Sequence, residues 1–202
     1  ALRTLRILCV LCVLNYSGSI ITPLLHKFTL FFILLNFSLL QGQVFKTQKE
    51  ALEQAFPDGQ NISRKVVFLT EKQIRQIQKL AKARVESKLI VYYVGSVADS
   101  VTGYAFFETD IVRTKPATFM VVIRPDSSIK FVTILAFYEP LDYLPIPRWL
   151  NLFRGKRLNA NLWMKRDIHN ITGATLSVQA ITLGVRKMLA IYQVAIPKEK
   201  AR

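Results

Sequence analysis

Past residue 47 the chain has no cysteine and a single histidine, His169; both cysteines, Cys9 and Cys12, lie near its start. That scarcity excludes a disulfide framework, a cysteine-ligated iron–sulfur cluster and a zinc finger from the downstream region. Redox chemistry there would need an organic cofactor. Acid is missing from the first 47 residues, which carry four basic groups (Arg3, Arg6, Lys27 and Lys46). The whole chain has 28 basic and 13 acidic groups, so the remainder holds 24 against 13, a net charge of +11. Such an excess points to an anionic neighbour: nucleic acid, a lipid surface or an acidic protein.

What is present is apolar. Of 202 residues, 51% are hydrophobic and 20% charged, enough for one domain with a real core and a leader before it. Phe28–Leu40 reads FTLFFILLNFSLL between His26-Lys27 and Gln41-Gly42-Gln43. A cation, a short apolar run and a small residue form a secretory signal, although Leu40 stands where a small residue is preferred. A second run, ILCVLCVL at 7–14, does not belong to an ordinary signal. Each run is shorter than the ~20 residues that span a bilayer, and a longer span from Ile20 to Leu40 would have to accept Lys27. Residues 1–47 therefore read as a hydrophobic leader, either a signal peptide or a membrane anchor, and residues 48–202 as an exported domain. The expected location is periplasmic or on the outer face of the cytoplasmic membrane.

Within that domain, Gln48–Phe56 is rich in helix formers and stops at Pro57-Asp58-Gly59. Lys65–Leu69 suits a strand. Thr70 and Gln73 have capping-box spacing, and Ile74, Ile77, Ala81 and Val85 follow at helical intervals, so an amphipathic helix is expected over 71–85. Leu89–Val94 and Tyr104–Phe107 read as strands around a turn. Thr118–Ile123 and Ile129–Phe137 flank Arg124–Ser128 as an antiparallel hairpin. A short helix is expected around Trp149–Phe153. The last helix runs from about Gly173 to Tyr192, with Arg186 and Lys187 placed to suit its negative pole. No internal repeat is visible. The fold class is α+β, a mostly antiparallel sheet with helices packed on it.

The stretch with chemical content is Asn170-Ile171-Thr172-Gly173-Ala174-Thr175-Leu176-Ser177, where a loop becomes the last helix. Small residues let a ligand approach the backbone, first-turn N–H groups attract an anion, and hydroxyls at 172, 175 and 177 add donors. The plain alternative is a capped helix with Thr172 as N-cap.

Thr172–Ser177, read TGATLS, resembles the signature of the bacterial FMN-binding domain family, found in flavin-carrying subunits of the sodium-pumping NADH:quinone reductase and of Rnf-type complexes. Other segments resemble it in order: Gly103-Tyr104-Ala105-Phe106, the hairpin TFMVVIRPDSSIKFVTIL, Glu139-Pro140, Trp149-Leu150 and Phe153-Arg154-Gly155-Lys156. The likeness covers about residues 48–194. It implies a covalent flavoprotein domain for electron transport, an electron-carrier subunit more than a stand-alone enzyme. FMN would be joined by a phosphoester to Thr175, a flavin transferase would install it, and a membrane redox protein or quinone system would be the partner. It also implies that Ile171, Thr172, Gly173, Ala174, Leu176 and Ser177 surround the attachment point, with Glu139 and Trp149 lining the ring pocket. His169 stands where the family's commonest signature has aspartate, with Asp167 the nearest acid. A histidine beside the ring would couple proton transfer to flavin reduction; otherwise it is a structural hydrogen-bonder.

Two other classes compete. Basic stripes at 72–84 and 154–157 would serve a non-redox binding module at an anionic membrane surface. Nucleic acid is not expected, because Tyr92, Tyr93, Phe106 and Phe107 fit strand cores as well as stacking platforms. A hydrolase built on Ser177 or Thr175 with His169 lacks a nucleophile elbow and an orienting acid.

Overall fold

A computed structural model describes residues 43–57, 60–98 and 100–197. The leader expected over 1–47 lies, up to residue 42, outside the described residues. Among the described residues, no helix is long and apolar enough to cross a membrane.

The five β-branched and aromatic runs expected to be strands, joined by a further short strand, form one antiparallel sheet of six. In chain order these are β1 (Gln43–Val44), β2 (Asn61–Phe68), β3 (Leu89–Val97), β4 (Ser100–Ile111), β5 (Pro116–Ile123) and β6 (Ile129–Phe137). Their spatial order is β1-β6-β5-β4-β3-β2, so β2 to β6 form a meander and β1 closes the far edge against Ala136 and Phe137. Gln43–Val44, counted with the leader on sequence, thus belongs to the sheet. The helices are α1 (Gln48–Ala55), α2 (Glu71–Ala81), α3 (Pro147–Leu150) and α4 (Thr175–Ala195). The chain is α+β.

Strand alternation sends successive side chains to opposite faces. Phe119, Val121 and Ile123 of β5 join Tyr104 and Phe106 of β4 in the larger core beneath α2 and α4. Met120 and Val122 face the other way, with Ala105, into a smaller cluster under Ala51, Ala55 and Phe56. α1 is short, and Thr47 caps it in a full capping box with Glu50, a T-x-x-E spacing present in the sequence.

Gly95 makes that smaller layer possible. A Cβ there would sit 2.1 Å from a ring carbon of buried Phe56. Gly95→Ala should therefore displace Phe56 and lower the unfolding free energy in urea by about 1–3 kcal/mol. A stability equal to wild type would show that the ring moves at no cost.

Two helical expectations are corrected. α2 stops at Ala81 instead of running to 85, because Lys82 takes the left-handed conformation (φ 56) and donates its N–H to the Gln78 carbonyl. Arg186 and Lys187 do not serve the negative pole of α4, which continues to Ala195. Buried Arg186 instead donates from Nε to the Ala81 carbonyl (3.0 Å) and from Nη2 to that of Leu80 (2.8 Å), at the negative pole of α2. Its Nη1 donates to the carbonyls of Asn159 (2.8 Å) and Leu162 (2.9 Å). Lys187 pairs with Glu108 at 2.6 Å, both largely buried, and burial raises the Glu108 carboxyl despite that partner.

Candidate functional site

The loop 156–174 carries the chain from the far side of β6 to the head of α4, and it is pinned at several points. Ile129 donates its N–H to the Lys156 carbonyl at 2.9 Å. Lys156 Nζ pairs with Asp167 at 3.2 Å, and Arg186 holds Asn159 and Leu162. Trp149 Nε1 donates to the His169 carbonyl at 2.7 Å. These ties fix the entry to α4 before any ligand is considered.

At that entry the N-cap is Ala174, not Thr172, and no side chain caps the helix. The Ala174 N–H goes back to the Ile171 carbonyl, and the first intrahelical bond is donated by Val178. The N–H groups of Thr175, Leu176 and Ser177 are therefore the first-turn donors that a helix leaves open. Gly173 turns the chain with φ 86, and a Cβ there would meet nothing within 4 Å, so the approach to the backbone is open. That φ favours glycine over any L side chain.

Thr175 is the first residue of α4 and is exposed. The Asn170 side-chain amide donates to its Oγ1 at 3.1 Å. Two residues on, Ser177 is 1% exposed, and its Oγ is buried with no hydrogen-bond partner among the described residues. A buried hydroxyl left unpaired costs about 1–3 kcal/mol, so it marks a place where a further polar group would be bound favourably.

Gly173, Ala174, Leu176 and Ser177 line one wall of a cleft of about 310 Å³, open mouth included; Val112, Arg113, Glu139 and Tyr143 form the other. The β4–β5 turn supplies Val112 and Arg113, and the segment after β6 supplies Glu139 and Tyr143. The Arg113 guanidinium lies 5.9 Å from the centre of the Tyr143 ring. Glu139 is buried, and one of its carboxylate oxygens accepts from the N–H groups of Thr114 (2.6 Å) and Lys115 (2.8 Å) and from the Thr114 hydroxyl (3.1 Å). The Thr114 N–H leads in holding this carboxyl below its ordinary range, against the opposing effect of burial.

The residues singled out on sequence separate into groups. Glu139, Gly173, Ala174, Leu176 and Ser177 meet in the cleft, and Thr175 stands at its helix start. Ile171 is half-buried and packs against the larger core, and Thr172 is exposed. Trp149 is buried, edge-on to Phe153 at 5.3 Å, and is not among the cleft-lining residues. His169 is exposed; its carbonyl anchors Trp149. Asp167 is engaged by Lys156. Val112, Arg113 and Tyr143 were not legible, because the β4–β5 turn brings the first two in from about 60 residues before Gly173, and the segment after β6 brings Tyr143 in from about 30. Among the described residues no cluster of three or more acidic, histidine or cysteine side chains is placed to hold a metal.

No known-family model and no curated protein matches this chain.

Proposed function

We propose that this domain carries one FMN in phosphoester linkage to Thr175 and relays electrons to or from a membrane redox protein or quinone system. The observation that carries the reading is the head of α4, where an exposed threonine hydroxyl opens an uncapped helix whose third residue buries an unpartnered hydroxyl. First-turn N–H groups and the helix dipole suit a phosphate there, and the small residues Gly173 and Ala174 leave it room. Arg113 adds a cation on the opposite wall, and Tyr143 and Val112 add apolar surface suited to an aromatic ring. The order of segments resembling the FMN-binding domain family points the same way.

The flavin would supply the electron chemistry, and this chain's own residues would bind, orient and shield it. Gly173 and the N–H groups of Thr175, Leu176 and Ser177 would hold the phosphate, and the Ser177 hydroxyl would gain a partner. Asn170 steadies the Thr175 oxygen in the absence of an aspartate at position 169.

Co-expression with a flavin transferase followed by intact-mass measurement tests this directly. Wild type should gain the mass of one FMN less water, and Thr175→Ala should gain nothing. An unmodified wild type, colourless after purification, would sink the covalent-carrier reading.

A further inference from the structure

The exposed apolar side chains are unevenly distributed. β2 ends, β3 begins and β4 ends at the same end of the sheet, as the pairing of Phe68 with Leu89 and the antiparallel register of β3 and β4 require. Phe68 is 74% exposed, and Leu89 beside it and Ile111 at the end of β4 are exposed as well. That same end carries the β4–β5 turn with Val112 and Arg113, and therefore the cleft. Leu141, between the cleft residues Glu139 and Tyr143, and Leu176 on the cleft wall are exposed too, as is Ile146, three residues beyond Tyr143. At the opposite end, among the described residues, the exposed large apolar residue is Val97, the last of β3.

Cations flank this end. α2 starts three residues after Phe68, and its first turn is tied to the beginning of β3 by the ion pair of Glu71 with Lys88. From there Lys72, Arg75 and Lys79 project at helical spacing opposite buried Ile77 and Ala81, exposed and in no ion pair among the described residues. Arg113 is exposed at the cleft and Arg148 on α3, and the acid on the first turn of α2, Glu71, is already paired. An apolar rim with unpaired cations beside it complements an anionic bilayer interface. There apolar side chains enter the headgroup boundary, and each Lys or Arg near the surface adds about 1 kcal/mol.

We infer that this end of the sheet docks on an anionic lipid surface, with Phe68 and Ile146 entering the interface and the cleft opening toward the bilayer. The surface is independent of whether Thr175 is modified, so unmodified protein serves for the test.

In the full chain, single Phe68→Trp, Ile146→Trp and Val97→Trp variants are mixed with vesicles of phosphatidylcholine alone or with phosphatidylglycerol, some bearing brominated acyl chains. Trp149 and Trp163, common to every variant, give a constant background. The indoles at 68 and 146 should shift to shorter wavelength and be quenched at least twofold by brominated anionic vesicles. The indole at 97 should stay open to aqueous acrylamide. Charge reversal of Lys72, Arg75 and Lys79 to Glu, or raised salt, should reduce quenching at 68 several-fold. Equal quenching at 68 and 97, or none at 68 and 146 on anionic vesicles, would overturn the docking. A covalent flavin found by mass alongside either result leaves the two readings separately judged.

Discussion

Replacing Arg186 by methionine should cost about 3–5 kcal/mol of unfolding free energy, because it removes a buried donor fork from four main-chain carbonyls at once. Each buried acceptor left unpaired costs about 1–3 kcal/mol, and partial relaxation keeps the total below the sum. The methionine retains most of the apolar stem, so the loss is electrostatic more than volumetric. The guanidinium also lies 5.0 Å from the Trp163 ring centre, a further contact that methionine only partly replaces. Lysine should recover little, since a point ammonium cannot reach carbonyls on α2 and on the 159–162 loop together. Amide exchange should quicken first in the last turn of α2 and across residues 159–168, and less in β5 and β6. Two of the freed carbonyls lie on the loop that delivers Thr175, so on the proposed flavin attachment the incorporation should fall with them. A loss under about 1 kcal/mol would mean that water replaces the guanidinium, and that the loop is held by Lys156 and Trp149 alone.

Glu139→Ala should be the next most damaging single change, at about 2–4 kcal/mol, since hydrogen bonds to a charged acceptor are the stronger kind. The carboxylate closes the β4–β5 turn by accepting three hydrogen bonds from Thr114 and Lys115, and that turn holds Val112 and Arg113 against the cleft. Glu139→Gln keeps an acceptor but loses the charge, and should lie between alanine and wild type. Because the folded carboxyl sits below its ordinary value of 4.5, its contribution is complete above that value and fades as pH falls through the folded one. The gap between wild type and Glu139→Gln, measured by denaturant titration from pH 7 to pH 3, should therefore narrow on the acid side. A gap that stays constant over this range would remove the carboxylate's charge from the account.

The central hairpin, the strands flanking it and the last helix were legible because alternation and helical spacing are local signals. β2 begins at Asn61, earlier than the apolar run KVVFL, since an edge strand needs only one buried face and tolerates Ser63 and Arg64. β1 is two residues long and carries no periodicity to read. The early end of α2 was hidden because it is bound up with an arginine 105 residues away. At the site, the sequence announced the small-residue turn and the threonine that starts α4. It could not announce that Thr172 fails to cap the helix, that Ser177 is buried without a partner, or that Trp149 is spent on the His169 carbonyl. Each of those depends on where the loop is pinned, and the pins come from Lys156, Trp149 and Arg186.

The open flank of β2 has its own consequence, for self-association. An eight-residue strand with no further strand beside it among the described residues is a template on which a second copy could align, edge to edge, into a continuous sheet. Antiparallel pairing of two such strands about the centre, on Arg64 or on Lys65, would set that residue against its own counterpart in the other copy. Like charges facing across a ladder oppose that register, so this protein should remain unassociated along β2 at low salt. Neutral residues at 64 and 65 would turn the same edge into a seed for sheet extension and precipitation.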